Sequence, residues 1–100
     1  MIVTKDVVID MGLHDSVIEN IDINLINHAV NFNIRLSKIK KLNISFINVR
    51  SVRNININHN EMIILDYKLE DNFSKFFSTF SEWITLEFDG CIYTLEDEEI

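Results

Sequence analysis

The chain has 100 residues, a formal net charge of −7 and an apolar share of 47%. This length suits a single domain over residues 1–100 with one hydrophobic core, and it is too short for two. The average apolar share argues against disorder. The negative charge repels phosphate, which argues against direct binding of nucleic acid.

The N-terminal residues MIVTKDVVID carry Asp6 and Asp10 inside an apolar stretch. A secretory signal peptide would not tolerate these charges well, and no apolar run approaches the length that a membrane span needs. A single cysteine, Cys91, cannot form an internal disulfide. We therefore expect a cytoplasmic protein that does not engage a membrane.

Residues 15–29 are compatible with two interpretations. Residues Ser16 to Glu19 match a capping box, which predicts a helix. In contrast, Ile21, Ile23 and Leu25 alternate as they would in a strand, with several asparagines nearby that disfavour a helix interior. The strand is favoured, and the helix stays open.

The middle of the chain predicts strands. Apolar residues alternate with polar ones in VNFNIRL and LNISF, which places one set of side chains inward: Val30, Phe32, Ile34, Leu36, Leu42, Ile44 and Phe46. A hairpin is expected around His59-Asn60. On its far side two sets of residues could face inward, either Met62 and Ile64 or Ile63, Leu65, Tyr67 and Leu69. The second set is favoured, because it leaves the charged residues Asp66, Lys68 and Glu70 outward together.

Residues 20–34 resemble residues 43–57 at an offset of 23 positions, with several Asn and Ile in common. A duplicated strand pair would explain this similarity. Chance would explain it as well, because the same two residue types dominate both segments, and chance is favoured.

The segment DNFSKFFSTFSEW predicts an amphipathic helix over about residues 71–83. Its aromatic side chains follow the spacing of one helical stripe: Phe73, Phe76, Phe77, Phe80 and Trp83. Asp71 or Asn72 could cap its N-terminus. We expect this helix to bury its rings against a sheet.

The next segment, ITLEFDGCIYTL, predicts a C-terminal β-hairpin over residues 84–95 with Asp89-Gly90 at its turn. A two-residue turn would put six side chains on one inward face: Ile84, Leu86, Phe88, Cys91, Tyr93 and Leu95. The expected fold class is therefore α+β, a mainly antiparallel, curved sheet or partial barrel with one packed helix and this hairpin.

Charge is divided along the chain: residues 1–22 carry −4, residues 23–60 carry +6 and residues 61–100 carry −9. The cations of KIKKLNISFINVRSVR lie at both ends of a predicted strand without stacking rings between them, unlike a nucleic-acid site. The last hairpin and the tail are crowded with acids that would attract a basic protein: Glu87, Asp89, Glu96, Asp97, Glu98 and Glu99. The last four alone are also compatible with a simple solvated terminus.

The sequence contains little that indicates a catalytic site. His14, His28 and His59 lack metal-ligand spacing, and the two glycines form no phosphate-binding loop. Cys91 is expected to be a half-buried structural thiol. We therefore expect no enzyme, no catalytic or metal-binding residue and no cofactor.

Small size, acidity and a stiff strand-rich scaffold suit an immunity protein that neutralises a basic nuclease-type bacterial toxin by blocking its active-site cleft. The expected partner is a basic protein, either a toxin or another enzyme that acts on nucleic acid, and the expected state is a monomer or small homo-oligomer. The alternative is a structural or assembly subunit that self-associates, or joins a larger complex, through strand edges. A ligand-binding barrel lined by the aromatic stripe is a third hypothesis.

Overall fold

The computed structural model of the protein describes residues 1–55, 61–79 and 82–97. Within them the chain forms nine strands and a single helix, and all recorded strand pairings are antiparallel. In order these are β1 (Ile2–Val3), α1 (Lys5–Met11), β2 (Val17–Asn24), β3 (Ala29–Arg35), β4 (Lys40–Ile47), β5 (Ser51–Arg53), β6 (Met62–Leu69), β7 (Phe73–Ser78), β8 (Ile84–Glu87) and β9 (Gly90–Asp97). The broad α+β class with a mainly antiparallel sheet is confirmed.

The strands form one open sheet in the order β1-β9-β4-β3-β2-β6-β7-β8-β5. The sheet is strongly curved. Adjacent strands are about 4.8 Å apart, so β4 and β8, five positions apart in this order, would be about 24 Å apart in a flat sheet. Yet the rings of Phe46 on β4 and Phe88, directly after β8, have centroids only 4.9 Å apart. The two halves of the sheet therefore face each other.

The core lies between these two halves. Phe32 on β3 contacts Phe46 at a centroid distance of 5.3 Å and Phe76 on β7 at 5.2 Å. The inward alternation predicted for β3 and β4 is confirmed, because their alternate apolar residues are buried: Val30, Phe32, Ile34, Leu42, Ile44 and Phe46. Leu36, beyond the end of β3, packs partly buried against them.

The predicted helix at about 71–83 is wrong, because residues 73–78 form β7 instead. Ser74, Phe76 and Ser78 face inward, while Phe77 is 36% exposed on the other side. The side chains of β7 therefore alternate between the inner and outer side of the sheet, instead of lying along one side of a helix. The strand is favoured because β6 and β8 hydrogen-bond to both of its edges, and because phenylalanine suits a pleated surface.

The one helix among the described residues is α1, which the sequence pattern does not mark because Val7, Val8 and Ile9 are β-branched. The Thr4 hydroxyl caps it by accepting from the Val7 N–H at 3.3 Å. Gly12 ends it with a φ of 79°, a conformation that favours glycine. With Val8 and Leu13 buried, α1 connects the β1–β9 side of the sheet to the β6 side.

Both strands of the predicted C-terminal hairpin are present, but they do not pair with each other. β8 pairs with β5 and β7, whereas β9 pairs with β1 and β4. The inward face was assigned correctly, since Ile84, Leu86, Phe88 and Tyr93 are buried, with Cys91 and Leu95 partly buried. Phe88 and Asp89 lead the chain from one half of the curved sheet to the other.

The inward face predicted for β6 is partly wrong. Its pairing with β7 shifts between Ile64 and Asp66, which marks a β-bulge with one extra residue on β6. Met62 and Ile64 are buried, whereas Ile63 and Leu65, which were predicted to face inward, are 40% and 45% exposed. Beyond the bulge Leu69 is buried as predicted, and three charged residues point outward as expected: Asp66, Lys68 and Glu70.

The strand that was favoured for residues 15–29 is confirmed, since β2 covers residues 17–24 and a turn follows. The hairpin expected around His59-Asn60 lies outside the described residues. A duplicated strand pair is not found in the described part of residues 20–34 and 43–57, because β2 pairs with β3 whereas β5 pairs with β8.

Candidate protein-binding surfaces

The acids predicted to bind a partner lie at two separate places on the surface. Glu87 and Asp89 are exposed at the end of β8 and just after it, whereas Glu96 and Asp97 are exposed at the far end of β9. Seven residue steps along β9 separate residue 90 from residue 97, about 23 Å of strand. Glu98 and Glu99 lie outside the described residues.

Each of these two places also contains cations. The Asp89 carboxylate lies 3.5 Å from Nε of Arg50 and accepts from the side-chain amide of Asn48. At the other end of β9, Glu96 is opposite Lys41 in the strand register and Asp97 is opposite Lys40. Cross-strand neighbours of opposite charge attract each other, so the negative potential of both acid pairs is reduced.

The basic middle of the sequence thus lies beside acids that come from elsewhere in the chain. Glu19 on β2 accepts from both Nε and Nη2 of Arg35, at 3.2 and 3.1 Å, and its other oxygen lies 3.9 Å from Nζ of Lys41. The cations of the basic segment therefore lie close to carboxylates that β2 and β9 contribute. The same placement opposes their use as a phosphate-binding surface.

Negative charge is in excess around α1 and the end of β6, here named the α1–β6 acidic surface. It contains six exposed carboxylates and two lysines, a difference of −4. Its acids are Asp6, Asp10, Asp15, Asp66, Glu70 and Asp71, and its cations are Lys5 and Lys68.

Contacts join the residues of this surface. Nζ of Lys5 donates to Asp71 at 2.7 Å, and this hydrogen bond, with Glu70 and Asp6 also near, raises the pKa of Lys5. At the other end of α1, the Asp15 N–H donates to the Ile64 carbonyl at 2.9 Å. This surface was not predicted from the sequence, although the net charge of −4 in residues 1–22 was a signal for it.

An apolar surface lies on the outer side of β6 and β7, next to those acids, and is here named the β6–β7 apolar face. Ile63, Leu65 and Phe77 are 40%, 45% and 36% exposed. The Phe77 ring lies 5.3 Å from the half-buried ring of Trp83, and Nζ of Lys75 lies 4.5 Å from the Trp83 ring centroid.

A polar face covers the outside of β2, β3 and β4. The Asn33 amide donates to Asn20 at 3.1 Å and accepts from the Asn43 amide at 2.9 Å. In the neighbouring row the Ser45 hydroxyl donates to the Asn31 side chain. The asparagines that alternate in the sequence thus form a ladder across three strands, in which their side chains hydrogen-bond to one another.

Reactive groups in the described part of the chain show no catalytic arrangement. Burial raises the pKa of the Cys91 thiol to about 11, which keeps it protonated and unreactive at neutral pH. The His14 ring lies 5.0 Å from the Tyr67 ring and is tilted against it by 55°, and its Nε2 is 3.9 Å from Asp66. No three His, Cys, Asp or Glu side chains of residues 1–55, 61–79 and 82–97 are placed to hold a metal ion.

In residues 1–55, 61–79 and 82–97 the protein is an open, curved antiparallel sheet with one short helix, and it carries the α1–β6 acidic surface next to the β6–β7 apolar face. None of the described residues belongs to a helix with the length and apolar character needed to cross a bilayer. Comparison of the chain with protein-family models, with curated proteins and with solved structures finds no significant match.

Proposed function

We propose that this protein is a small acidic binding protein of the immunity type, which neutralises a basic nuclease-type bacterial toxin by blocking its active-site cleft. Enzymes that cleave RNA or DNA bind phosphates in cationic clefts. A rigid protein surface with excess carboxylates can occupy such a cleft in place of the phosphates and is drawn to it over long range.

The observation that carries this proposal is the α1–β6 acidic surface. Its carboxylates outnumber its lysines by six to two, so four remain in excess after Lys5 pairs with Asp71 and Lys68 pairs with Glu70. The acids on β8 and β9 have cations beside them in nearly equal number, namely Arg50, Lys40 and Lys41. The surface also has a rigid base, because Val8 and Leu13 anchor α1 in the core. Preorganised charge costs little conformational entropy when the partner binds.

The alternative, an assembly subunit that joins copies through strand edges, has less support. The sheet order begins with β1 and ends with β5, which have two and three residues. Short edge strands offer few free backbone groups to another chain, and natural proteins use them to prevent edge pairing. We therefore favour side-chain recognition over strand addition.

The proposal is tested by affinity purification from the native host, followed by identification and purification of the recovered partner. We expect a basic protein whose nuclease activity is inhibited by the wild-type chain, with an association rate that falls steeply as salt rises. Recovery of only acidic or neutral partners, or of a nuclease that stays active in the complex, would reject the proposal.

Two charge-reversal variants then locate the acids that matter. Asp10→Lys with Glu70→Lys reverses two acids of the α1–β6 acidic surface and is expected to slow association by about tenfold or more. The tail variant reverses Glu96, Asp97, Glu98 and Glu99 to Lys, and a smaller effect is expected because Glu96 and Asp97 lie opposite lysines. Thermal unfolding of both variants controls for loss of fold. A larger decrease in the association rate for the tail variant would show that the binding site lies at the end of β9.

A further inference from the structure

We propose that the β6–β7 apolar face is the centre of the partner interface, and that it receives an arginine-bearing, partly apolar segment of the basic partner. This inference rests on the proposed function and adds to it a specific surface and a specific partner chemistry. Carboxylates alone would give long-range attraction, whereas specific interfaces also need a desolvated apolar centre.

Three large apolar side chains are exposed together on this face. Ile63, Leu65 and Phe77 each leave between 36% and 45% of their surface exposed, although the interior is well packed with phenylalanine. Large apolar side chains grouped on one outer sheet face mark interaction sites when polar residues surround them. The strand register groups them here, because Phe77 is opposite Asp66, directly after Leu65.

The β-bulge in β6 creates this arrangement. Without the extra residue, strict alternation would place either Leu65 or its neighbours Ile64 and Asp66 on the outer side. With it, Leu65 and Asp66 are both exposed while Ile64 is fully buried. Bulges are used in proteins to redirect side chains near functional sites. Here the bulge sets an apolar group and a carboxylate side by side.

The charges around the face select the occupant. Exposed acids lie next to it in the sequence or through backbone contacts: Asp15, Glu61, Asp66 and Glu82. The nearby cations are Lys68 and Lys75, which are opposite each other in the strand register. Nζ of Lys75 lies over the Trp83 ring at 4.5 Å, so an aromatic surface that accepts a cation already exists here. A guanidinium can stack on the Phe77–Trp83 rings and also donate to Asp66, which an apolar or acidic partner cannot do.

The test uses Trp83, the only tryptophan of the chain, as a fluorescent reporter within the face. The probe is a short synthetic peptide of alternating arginine and leucine, compared with a lysine–serine peptide of equal length and charge. We expect the arginine–leucine peptide to shift Trp83 emission, and to bind about five to ten times more tightly than the lysine–serine peptide.

Three variants locate the binding. Leu65→Ser and Ile63→Thr are expected to weaken binding of the arginine–leucine peptide about fivefold or more. Ile26→Ser is the matched control, because Ile26 is an apolar residue 91% exposed in the turn after β2, eight residues along the chain from Ile18, where β2 pairs with β6. Ile63→Thr keeps a β-branched residue in the strand, so it separates lost contact from lost fold, and thermal unfolding verifies this for each variant.

Other outcomes overturn the inference. These are no binding of the arginine–leucine peptide, equal binding of both peptides, or equal weakening by Ile26→Ser. Sedimentation that shows wild type as a dimer and Leu65→Ser as a monomer would assign the face to a second copy of the chain instead. In each case the proposed function is judged separately, by partner recovery and by Asp10→Lys with Glu70→Lys.

Discussion

Tyr93 and Cys91 illustrate how single side chains adapt to the interior of this protein. Both lie on the inward side of β9, and burial is the main cause that raises the pKa of each. The Tyr93 hydroxyl lies near the Cys91 thiol and the Ser74 hydroxyl, and both neighbours affect its pKa less than burial does. These groups therefore favour their neutral, protonated forms and take part in packing, not in chemistry.

Alkaline pH is expected to destabilise the protein through these two groups. The folded-state pKa of Cys91 is about 11, above its ordinary value of 9.0, and that of Tyr93 is also raised. A raised pKa means that the stability is fully present below pH 9 and is lost as the pH rises towards 11 and beyond. Urea unfolding from pH 8 to pH 11 measures the loss.

The matched variants are Cys91→Ala and Tyr93→Phe, which remove the titrating groups. Each is expected to lessen the alkaline decline in the free energy of unfolding, and the double variant should lessen it most. A decline of the same steepness in the double variant would show that other groups are responsible.

At the scale of elements, tertiary pairing decided what local pattern could not. The aromatic residues of 73–83 have both a helical spacing and an alternation with serine, and the hydrogen bonds of β6 and β8 select the strand. In the other half of the sheet, the asparagine ladder joins β2, β3 and β4 on their outer side. Side-chain pairs of this kind stabilise a sheet beyond its backbone hydrogen bonds.

Asn33→Ala tests the ladder, because Asn33 is its middle member with one hydrogen bond to Asn20 and another to Asn43. We expect a loss of about 1–2 kcal/mol in the free energy of unfolding, from two hydrogen bonds of about 0.5–1 kcal/mol each. Asn27→Ala is the control, since Asn27 uses its backbone N–H to bond with Asn24. Equal losses in the two variants would show that the ladder adds no stability.

At the scale of the whole molecule, aromatic contacts join the two halves of the curved sheet. Phe32 with Phe76, and Phe46 with Phe88, connect strands that are far apart in the sheet order. These contacts hold the two halves of the sheet against each other. They also leave the outer side of β6 and β7 free to carry different side chains without disturbing the core.

Phe76→Ala and Phe77→Ala form a matched pair on one strand. Phe76 is fully buried, and its loss is expected to cost about 3–5 kcal/mol in the free energy of unfolding. Phe77 is 36% exposed on the outer side, so its loss should cost much less, about 1 kcal/mol. Denaturant unfolding measures both, and similar costs would contradict the inward and outward assignment of β7.

Local alternation identified a large part of the fold. Val30 to Ile34 and Leu42 to Phe46 alternate, and these strands and their buried faces were predicted correctly because a half-buried strand has a period of two. The inward faces on both sides of Asp89-Gly90 were predicted for the same reason. The candidate site was less predictable, because the α1–β6 acidic surface combines residues up to 66 positions apart, from Lys5 to Asp71.

The sequence by itself determined the mainly antiparallel class and the inward faces of β3, β4, β8 and β9. It did so because the alternation of apolar and polar residues is a local property, which each strand needs in order to bury one face against the core. Only the tertiary structure decided the strand partners, the bulge of β6 and the strand state of residues 73–78. These depend on hydrogen bonds and contacts between distant segments, which outweigh small local preferences and are not contained in any short stretch of the chain.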